Sequence, residues 1–212
     1  MKILITVPTE GKIHKHVVFV LLRLQRESRH QLRIILPTHR PYENNLHHIV
    51  NDFMESDEDY WLNIDADNPP INNPLDLVAL DLDIIGLPTP VWHFTEKITG
   101  ERPVYLNVYR RSKTEEGYNE WNPKEGLQEV DAVGTGCFLI ARRVFEDRWM
   151  REAPFQRTYN KDGTVNFGND LAFCARAKKN GFKVHAHFDY CCLHFSEIEI
   201  SEVTRAFMNM RA

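Results

Sequence analysis

Two aspartates one residue apart, Asp65 and Asp67, are the side chains whose spacing most directly predicts chemistry. They directly follow the apolar stretch 60–64, and prolines stand at positions 69, 70 and 74. We expect residues 60–64 to form a buried strand that ends at the two carboxylates, because proline does not continue a central strand. Hard cations such as Mg²⁺ and Mn²⁺ prefer carboxylate oxygens and are often shared with substrate phosphates. A solvated acidic turn is the alternative, but an apolar strand leading into the pair favours a cation or ribose site.

The elements that would position this pair alternate between strand and helix patterns. Residues 3–7 and 32–36 are typical of short buried strands, and each stretch is followed by proline. Residues 16–26 and 45–54 have the apolar spacing of helices packed on a sheet. Strand, helix and strand in this order predict parallel strands joined by a crossover helix. Ligands bind at the carboxyl ends of strands in open α/β sheets, which is where the sequence places both aspartates.

The later elements are predicted from similar patterns. We expect helices over 75–80, 142–150 and 169–180, the last ended by Gly181, and strands over 83–86, 103–109 and 182–187. The apolar stretch 130–140 contains Gly134 and Gly136, which indicates a close approach of the backbone to a neighbour. Residues 110–128 show no periodicity and predict a long loop, a feature that is usually functional or disordered.

Composition restricts the class of protein. The chain has 212 residues, 42% of them hydrophobic and 26% charged, which predicts a single domain with one sizeable core. The net charge of −4 does not favour tight sequence-independent binding of nucleic acid. Four cysteines in apolar surroundings predict reduced, buried thiols. The first apolar run breaks at Pro8, too early for a signal peptide, and no later stretch is long enough to span a membrane, so we expect a cytoplasmic protein.

Four segments, in order along nearly the whole chain, resemble the GT-A glycosyltransferases, especially the family-2-like inverting enzymes. They read ITVPTEG, YWLNIDADNPP, DAVGTGCFLIARRVFE and FGNDLAFCARAKKNGFKVHAHFDYCCLHF, and the last two are the most specific. The resemblance implies a single Rossmann-like α/β domain over residues 1–212, of the nucleotide-diphospho-sugar transferase type, with a mixed central sheet flanked by helices. Residues 1–67 would form the nucleotide-binding half, which ends in the D-x-D motif, and residues 68–212 the acceptor-binding half.

The resemblance also implies a metal site for Mn²⁺ or Mg²⁺. Asp67 would bind the metal and the diphosphate, and Asp65 would face the ribose or help hold the metal through water. His194, after the last predicted strand, occupies the place of the histidine that completes the metal site in many such enzymes. Without the resemblance, His194 would be taken for a surface residue, one of ten histidines in the chain.

The donor, a nucleotide-diphosphate sugar, is assigned by the same resemblance to segments that follow the strands. Residues after the first strand would hold the nucleobase and ribose, residues after the second would lie near the base or diphosphate, and the glycine-containing turn would form the floor beneath sugar and acceptor. The donor-binding set is Pro8, Thr9, Glu10, Arg40, Asn44, Asp65, Ala66, Asp67, Gly134, Thr135 and Gly136. The aromatic residues Trp92, His93, Tyr118 and Trp121 are candidates for sugar or acceptor stacking, with ordinary packing as the alternative.

Asp170 is the candidate general base. The family keeps an acidic pair at the start of a helix, and its aspartate deprotonates the acceptor hydroxyl as that oxygen attacks the anomeric carbon. Here the pair is Asn169 and Asp170, which leaves the base in place and puts a role of the first position in doubt. A carboxylate at a helix N-terminus that only caps the helix, worth about 1 kcal/mol, is the competing interpretation.

The leading hypothesis is therefore a metal-dependent inverting glycosyltransferase acting on an acceptor hydroxyl. A glycan, a protein and a modified nucleic-acid base all fit as acceptors, and the sequence specifies neither the acceptor nor an oligomeric state. One alternative is a sugar-phosphate nucleotidyltransferase, which usually has a glycine-rich loop with a basic residue after the first strand; here only Gly11 and Lys12 are present. The other is a non-catalytic domain that binds a nucleotide sugar. The other eight histidines show no metal-ligand spacing, and we assign them no function.

Overall fold

A computed structural model of the chain describes residues 1–91, 105–113, 117–121 and 125–196. The strands are β1 (Lys2–Thr6), β2 (Gln31–Ile35), β3 (Tyr60–Ile64), β4 (Ile84–Gly86), β5 (Pro90–Val91), β6 (Tyr105–Leu106), β7 (Val108–Arg111), β8 (Tyr118–Glu120), β9 (Leu127–Val130), β10 (Ala132–Val133), β11 (Cys137–Ala141), β12 (Thr158–Tyr159), β13 (Val165–Phe167) and β14 (Val184–His187). The helices are α1 (Lys15–Glu27), α2 (Tyr42–Glu55), α3 (Arg143–Glu146), α4 (Arg148–Glu152), α5 (Asn169–Lys179) and a 3-10 helix, Pro74–Leu80.

Within these ranges a seven-stranded mixed sheet forms the centre, in the order β2-β1-β3-β11-β4-β14-β9. β1 pairs in parallel with both β2 and β3, whereas β11 is antiparallel to β3 and β4. β14 is parallel to β4, and β9 is antiparallel to β14 at the edge. The chain thus has the predicted α/β fold, a mixed central sheet flanked by helices, and β1, α1 and β2 form the expected parallel unit.

Both faces of the sheet are covered, which explains why its central strands are apolar throughout. Alternate residues of β1 point to opposite faces, so Ile3 and Ile5 pack with α1 while Leu4 packs with α2. The α2 face also holds an aromatic cluster in which the rings of Phe155 and Phe173 stack at a centroid distance of 4.4 Å. The sheet is therefore a rigid platform, and its carboxyl-end loops are free to carry polar side chains.

The second half of the chain differs from the sequence prediction in three places. The predicted loop 110–128 begins with the hairpin of β7 and β8 and ends in β9. The predicted helix 142–150 is two short helices, because Asp147 interrupts it and caps α4 by accepting a hydrogen bond from the backbone N of Met150 at 3.1 Å. The hairpin of β12 and β13 was not predicted.

The predicted strand 103–109 is divided into β6 and β7 at Asn107, and positions 103 and 104 lie outside the described ranges. The Asn107 side chain accepts a hydrogen bond from the backbone N of Thr89 at 2.9 Å, which connects the residue between β6 and β7 to the segment before β5.

Two further predictions concern side chains and membrane spans. All four cysteines are free, three of them buried and Cys191 half-buried, as predicted. Among the described helices, none is both long and apolar enough to cross a membrane.

Arg142 joins the end of α2 to the start of α3. Its guanidinium donates to the backbone carbonyls of Phe53, Met54 and Glu58 at 2.9 to 3.0 Å. The last carbonyls of a helix have no partner within the helix, and a guanidinium supplies several donors in a fixed plane. The neighbouring Arg143 binds Asp81 and Asp83, each at 2.7 Å. This basic pair therefore has a structural role.

We predict that Arg142→Met destabilises the fold by about 2 to 3 kcal/mol, because it leaves carbonyls at the end of α2 without a donor. The control is Arg148→Met, which removes only an exposed pair with Glu152 and should change the free energy of unfolding by less than about 0.5 kcal/mol. Urea unfolding of both variants measures the difference. Equal stability of the two variants would contradict the role of Arg142.

Candidate functional site

A cavity of about 740 Å³ opens at the carboxyl ends of β1, β2 and β3. β2 and β3 lie on opposite sides of β1, so the order in which strands are added to the sheet reverses at β1, and such a switch point leaves a crevice between the loops. The lining comes from the loop after β1, the start of α2, the D-x-D segment and the segment after β14: Pro8, Thr9, Glu10, Lys12, Ile13, His14, His39, Tyr42, Asn45, Asp65, Ala66, Asp67, Phe195 and Ser196.

The loop after β1 is held in place by its own hydrogen bonds. The Thr9 hydroxyl donates to the Lys12 carbonyl at 2.7 Å and accepts from the backbone N of Gly11 at 3.0 Å. Gly11 has a φ of +111°, a conformation that favours glycine. His14 caps α1 and donates its backbone N–H to the carbonyl of Ala66 at 2.8 Å, which fastens the loop to the D-x-D segment.

Asp65 is recessed and held by hydrogen bonds. Its Oδ1 accepts from the Tyr42 hydroxyl at 2.8 Å and from Asn63 Nδ2 at 3.1 Å, and its backbone N donates to the carbonyl of Gly136 at 2.8 Å. The pKa of Asp65 is raised to about 7, mainly by burial and to a lesser degree by the charges of Asp67 and Asp170; the hydrogen bonds from Tyr42 and Asn63 act in the opposite direction. The site thus has excess negative potential that a bound cation would relieve.

Asp67 and His194 come together at the mouth of the cavity. His194 Nε2 lies 3.6 Å from Asp67 Oδ2, and the two side chains are 32% and 48% exposed. His194 Nδ1 lies 2.7 Å from the Pro90 carbonyl oxygen, which can only accept, so Nδ1 carries the hydrogen and Nε2 of the neutral ring has a free lone pair. The Phe195 backbone N donates to the Asp67 carbonyl at 3.0 Å, which keeps the two segments side by side.

This pair fits a hard divalent cation, which binds one or two protein carboxylates and takes its remaining ligands from phosphate and water. The backbone carbonyl on Nδ1 is the outer-shell partner that metal-binding histidines generally have. Within the described ranges no group of three histidine, cysteine, aspartate or glutamate side chains is close enough to hold an ion. Direct coordination by Asp65 therefore stays a prediction.

The glycine-containing turn lies behind Asp65 and outside the cavity lining. The carbonyl of Thr135 accepts from Asn63 Nδ2 at 3.0 Å. A Cβ atom on Gly136 would come within 2.2 Å of the Asn68 amide, and one on Gly134 within 2.2 Å of the Asn107 amide. These glycines are required for close packing, and a role of the turn as the floor beneath sugar and acceptor stays a prediction.

Arg40 and Asn44 lie outside the cavity lining. Arg40 Nη2 is 3.2 Å from Glu10 Oε2, and both side chains are exposed. Since Glu10 lines the cavity, this ion pair lies at the rim of the cavity. Asn44 is exposed, and its Nδ2 donates to the Arg40 carbonyl at 3.3 Å. Their assignment to the donor stays a prediction.

Asp170 lies in the first turn of α5, partly buried and outside the cavity lining. Its Oδ1 accepts from the backbone N of Leu171 at 2.8 Å, so part of its role is to satisfy the helix terminus. Burial raises the pKa of Asp170, which makes its carboxylate more basic than a solvated one. The charge of Asp170 also contributes to the raised pKa of Asp65.

Sequence reasoning missed several cavity residues. The Phe195 ring stacks on His14 at a centroid distance of 3.7 Å, and His39 stacks on His48 at 4.1 Å. Asn45 is buried; its Nδ2 donates to the Pro37 carbonyl at 3.1 Å, and its Oδ1 has no partner among the described residues. The available signal was positional, since His14 and His39 both follow strands that end at the same edge of the sheet.

Two of the four aromatic residues predicted as candidates for sugar or acceptor stacking lie within the described residues. Tyr118 packs edge-on against Phe167 at a centroid distance of 5.3 Å, and the Arg110 guanidinium lies 4.1 Å above the ring of Trp121. Both contacts are ordinary packing. Trp92 and His93 lie outside the described residues.

Comparison with known proteins shows the fold. No family model and no curated protein matches the sequence. The crystal structure of A197 from STIV has a TM-score of 0.66 with 18% sequence identity, over 93% of this chain and 87% of that one. GalNAc-T7 with UDP, GalNAc and Mn²⁺ has a TM-score of 0.51 with 10% identity, over 93% of this chain and 43% of that one. UDP-glucose pyrophosphorylase with UDP-glucose also has a TM-score of 0.51, with 11% identity, over 99% and 98% of the two chains.

These likenesses confirm the predicted fold class. The mixed sheet and its flanking helices are those of GT-A and nucleotidyltransferase Rossmann-like domains. At such low identities the likeness concerns the fold alone, and the fold does not decide the reaction.

The raised pKa of Asp65 predicts a pH dependence of stability in the metal-free protein. The folded pKa of about 7 lies above the ordinary value of 3.8, so between these values the folded state retains a proton that the unfolded state has lost. Stability should therefore fall as pH rises from 5 to 7 and level off above, by at most about 3 kcal/mol for this group.

Urea unfolding between pH 5 and pH 8 in the presence of EDTA tests this prediction, with Asp65→Asn as the comparison. The asparagine keeps an acceptor for Tyr42 and cannot ionise, so its stability should decline less over this range. Parallel pH profiles for the two proteins would show that Asp65 does not carry the effect.

Proposed function

We propose that this protein is a metal-dependent glycosyltransferase that moves a sugar, with inversion, from a nucleotide-diphosphate sugar to an acceptor hydroxyl. The observation that carries the proposal is the pairing of Asp67 with an oriented His194 at the mouth of a cavity formed by three strand ends. A volume of about 740 Å³ is within the usual range for small-molecule sites and is large enough for a nucleotide sugar.

Asp67 and His194 would hold Mn²⁺ or Mg²⁺ in this scheme. When bound, the ion would neutralise the negative charge that develops on the departing nucleoside diphosphate. The contact from the Pro90 carbonyl to His194 Nδ1 keeps the ring oriented with Nε2 toward Asp67. Asp65 contributes negative potential and, through Tyr42 and Asn63, fixes the backbone from which Asp67 projects.

The nucleoside would occupy the part of the cavity between the loop after β1 and the start of α2. Pro8, Thr9 and His14 form one wall there, and His39 and Asn45 belong to the other elements that line it. Asn45 Oδ1 has no hydrogen-bond partner among the described residues, and it is an acceptor suited to an N–H group of a base. Burial of this oxygen without a partner is costly, and a bound ligand would offset that cost.

Asp170 would act as the general base. Its carboxylate takes the proton of the acceptor hydroxyl while the acceptor oxygen forms a bond to the anomeric carbon. The bond from that carbon to the diphosphate oxygen breaks, and the electron pair leaves with the nucleoside diphosphate. The raised pKa of Asp170 suits this role, since a more basic carboxylate removes the proton more effectively.

A nucleotidyltransferase is the second candidate, and one observation favours it. Lys12, in the loop after β1, lines the cavity, where a basic side chain could contact a triphosphate. The UDP-glucose pyrophosphorylase match, which spans nearly all of both chains, shows that the same fold supports this chemistry. The two reactions differ in product, because a nucleotidyltransferase releases pyrophosphate and a glycosyltransferase releases a nucleoside diphosphate.

The first functional prediction concerns metal-dependent binding. Asp67→Ala and His194→Ala should each weaken binding of a nucleotide sugar in Mn²⁺ by about tenfold or more, and EDTA should weaken binding to the unmodified protein similarly. Calorimetric titration with UDP-, GDP-, CMP- and dTDP-sugars measures this effect and identifies the base.

Asp76→Ala is the matched control, because Asp76 is an exposed carboxylate in the 3-10 helix and lies outside the cavity. It should bind as the unmodified protein does. Metal-independent binding of the donor, or no binding of any nucleotide, would refute the glycosyltransferase proposal.

The second functional prediction separates chemistry from binding. Asp170→Asn should lower kcat for donor turnover by about 10² to 10⁴-fold while leaving nucleotide affinity nearly unchanged, because the amide cannot accept the proton. Donor consumption and release of nucleoside diphosphate or pyrophosphate are followed together. Unchanged turnover would leave Asp170 as a helix-terminal residue only, and pyrophosphate as the product would favour the nucleotidyltransferase.

A further inference from the structure

A second cavity of about 740 Å³ lies away from the first, between α4, the β12–β13 hairpin and the outer side of α5. Its polar lining includes Arg176, Lys179, Asn166 and Asn180, and Trp149 stands beside them. With 3.6 residues per turn, Ala172, Ala175, Arg176 and Lys179 share one face of α5. Asp170 is on the opposite face, so the second cavity is separate from the candidate active site.

The guanidinium of Arg176 lacks a counter-charge in the described part of the chain. It forms no ion pair there, and its Nη1 is buried without a hydrogen-bond partner. Burial lowers the pKa of Arg176, and no carboxylate offsets this effect. The lining residue Glu152 is already paired with Arg148 at 2.6 Å. A partly buried guanidinium without an anion is unfavourable, and an oxyanion bound in the cavity would supply the missing counter-charge.

Trp149 gives the cavity a flat apolar wall. The residue is 69% exposed, the most exposed large apolar side chain in the described part of the chain. An exposed indole beside amide groups suits a ring that is apolar on its faces and polar at its edge. Asn166, exposed, and Asn180 supply hydrogen-bonding groups at that edge.

We propose that this second cavity binds a sugar carrying a phosphate or carboxylate group, with Arg176 on the oxyanion and Trp149 stacked on the ring. Lys179 adds a second positive charge to the oxyanion end. Phosphate and carboxylate share the chemistry that Arg176 recognises, and the probes below separate them. The proposal does not depend on the proposed function, because the residues involved lie on the other side of α5.

Glucose 6-phosphate, glucuronate, glucose and inorganic phosphate are titrated into the protein by calorimetry. One or both ring acids should bind at least about tenfold more tightly than glucose or phosphate alone, since ring and oxyanion contribute together. Arg176→Gln and Trp149→Ala should each weaken that binding by about tenfold or more. In the unmodified protein, binding should change the chemical shifts of the Trp149 indole. Arg151→Gln, an exposed arginine on the same helix as Trp149 and outside the cavity lining, is the matched control and should bind normally.

Unchanged binding in Arg176→Gln, no binding of either ring acid up to about 10 mM, or chemical-shift changes centred on the Asp67 cavity would overturn the proposal. Tighter binding of a mononucleotide at Trp149 would overturn the assignment to a sugar. Unfolding curves show that each variant is folded. UDP and Mn²⁺ titrated into the same samples report the first cavity separately, so failure at one cavity is distinguishable from failure at the other.

Discussion

The recessed carboxylate of Asp65 is the constraint on which the candidate site depends. A carboxylate in this position is costly unless donors surround it, and Tyr42 and Asn63 provide them. Asn63 also accepts from the Thr6 hydroxyl and donates to the Thr135 carbonyl, while Trp61 donates to Thr6. One connected set of hydrogen bonds therefore links β1, β3, α2 and the glycine-containing turn, and it fixes the backbone that presents Asp67.

The two aspartates of the motif have different environments. Asp65 is enclosed, its pKa is raised, and one oxygen is occupied by donors. Asp67 is about half exposed, and its Oδ2 lies 3.6 Å from His194 Nε2. A recessed carboxylate contributes a negative electrostatic potential and keeps the surrounding backbone rigid, whereas an accessible carboxylate can exchange bound water for a ligand. Asp170 is partly buried as well, which raises its pKa, and its charge contributes to the raised pKa of Asp65.

Long-range backbone contacts join the segments that form the cavity. The loop after β1 is attached to Ala66, and the segment after β14 is attached to Asp67 and Pro69. The stacked rings of His14 and Phe195 then close one side of the cavity. Each of these contacts joins residues distant in sequence, so a change in one segment alters the wall of the cavity as well as its own loop.

The sequence by itself determined the local elements and the strand-end position of the aspartates. Periodicity of two and of 3.6 residues reflects burial on one face or both, which is why β3, α1, α2 and α5 were predicted within a few residues of their bounds. The hairpin of β12 and β13 has short, exposed strands with little apolar pattern, so the sequence contained no such signal for it. The pairing of His194 with Asp67 was expected only from the family resemblance, and no local pattern indicated it. The tertiary structure alone decided that Tyr42 and Asn63 hold Asp65 and that Arg176 has no counter-charge among the described residues. These facts depend on contacts between residues far apart in the chain. Such contacts leave no periodic pattern in the sequence, because each is formed only when the sheet brings its strand ends together.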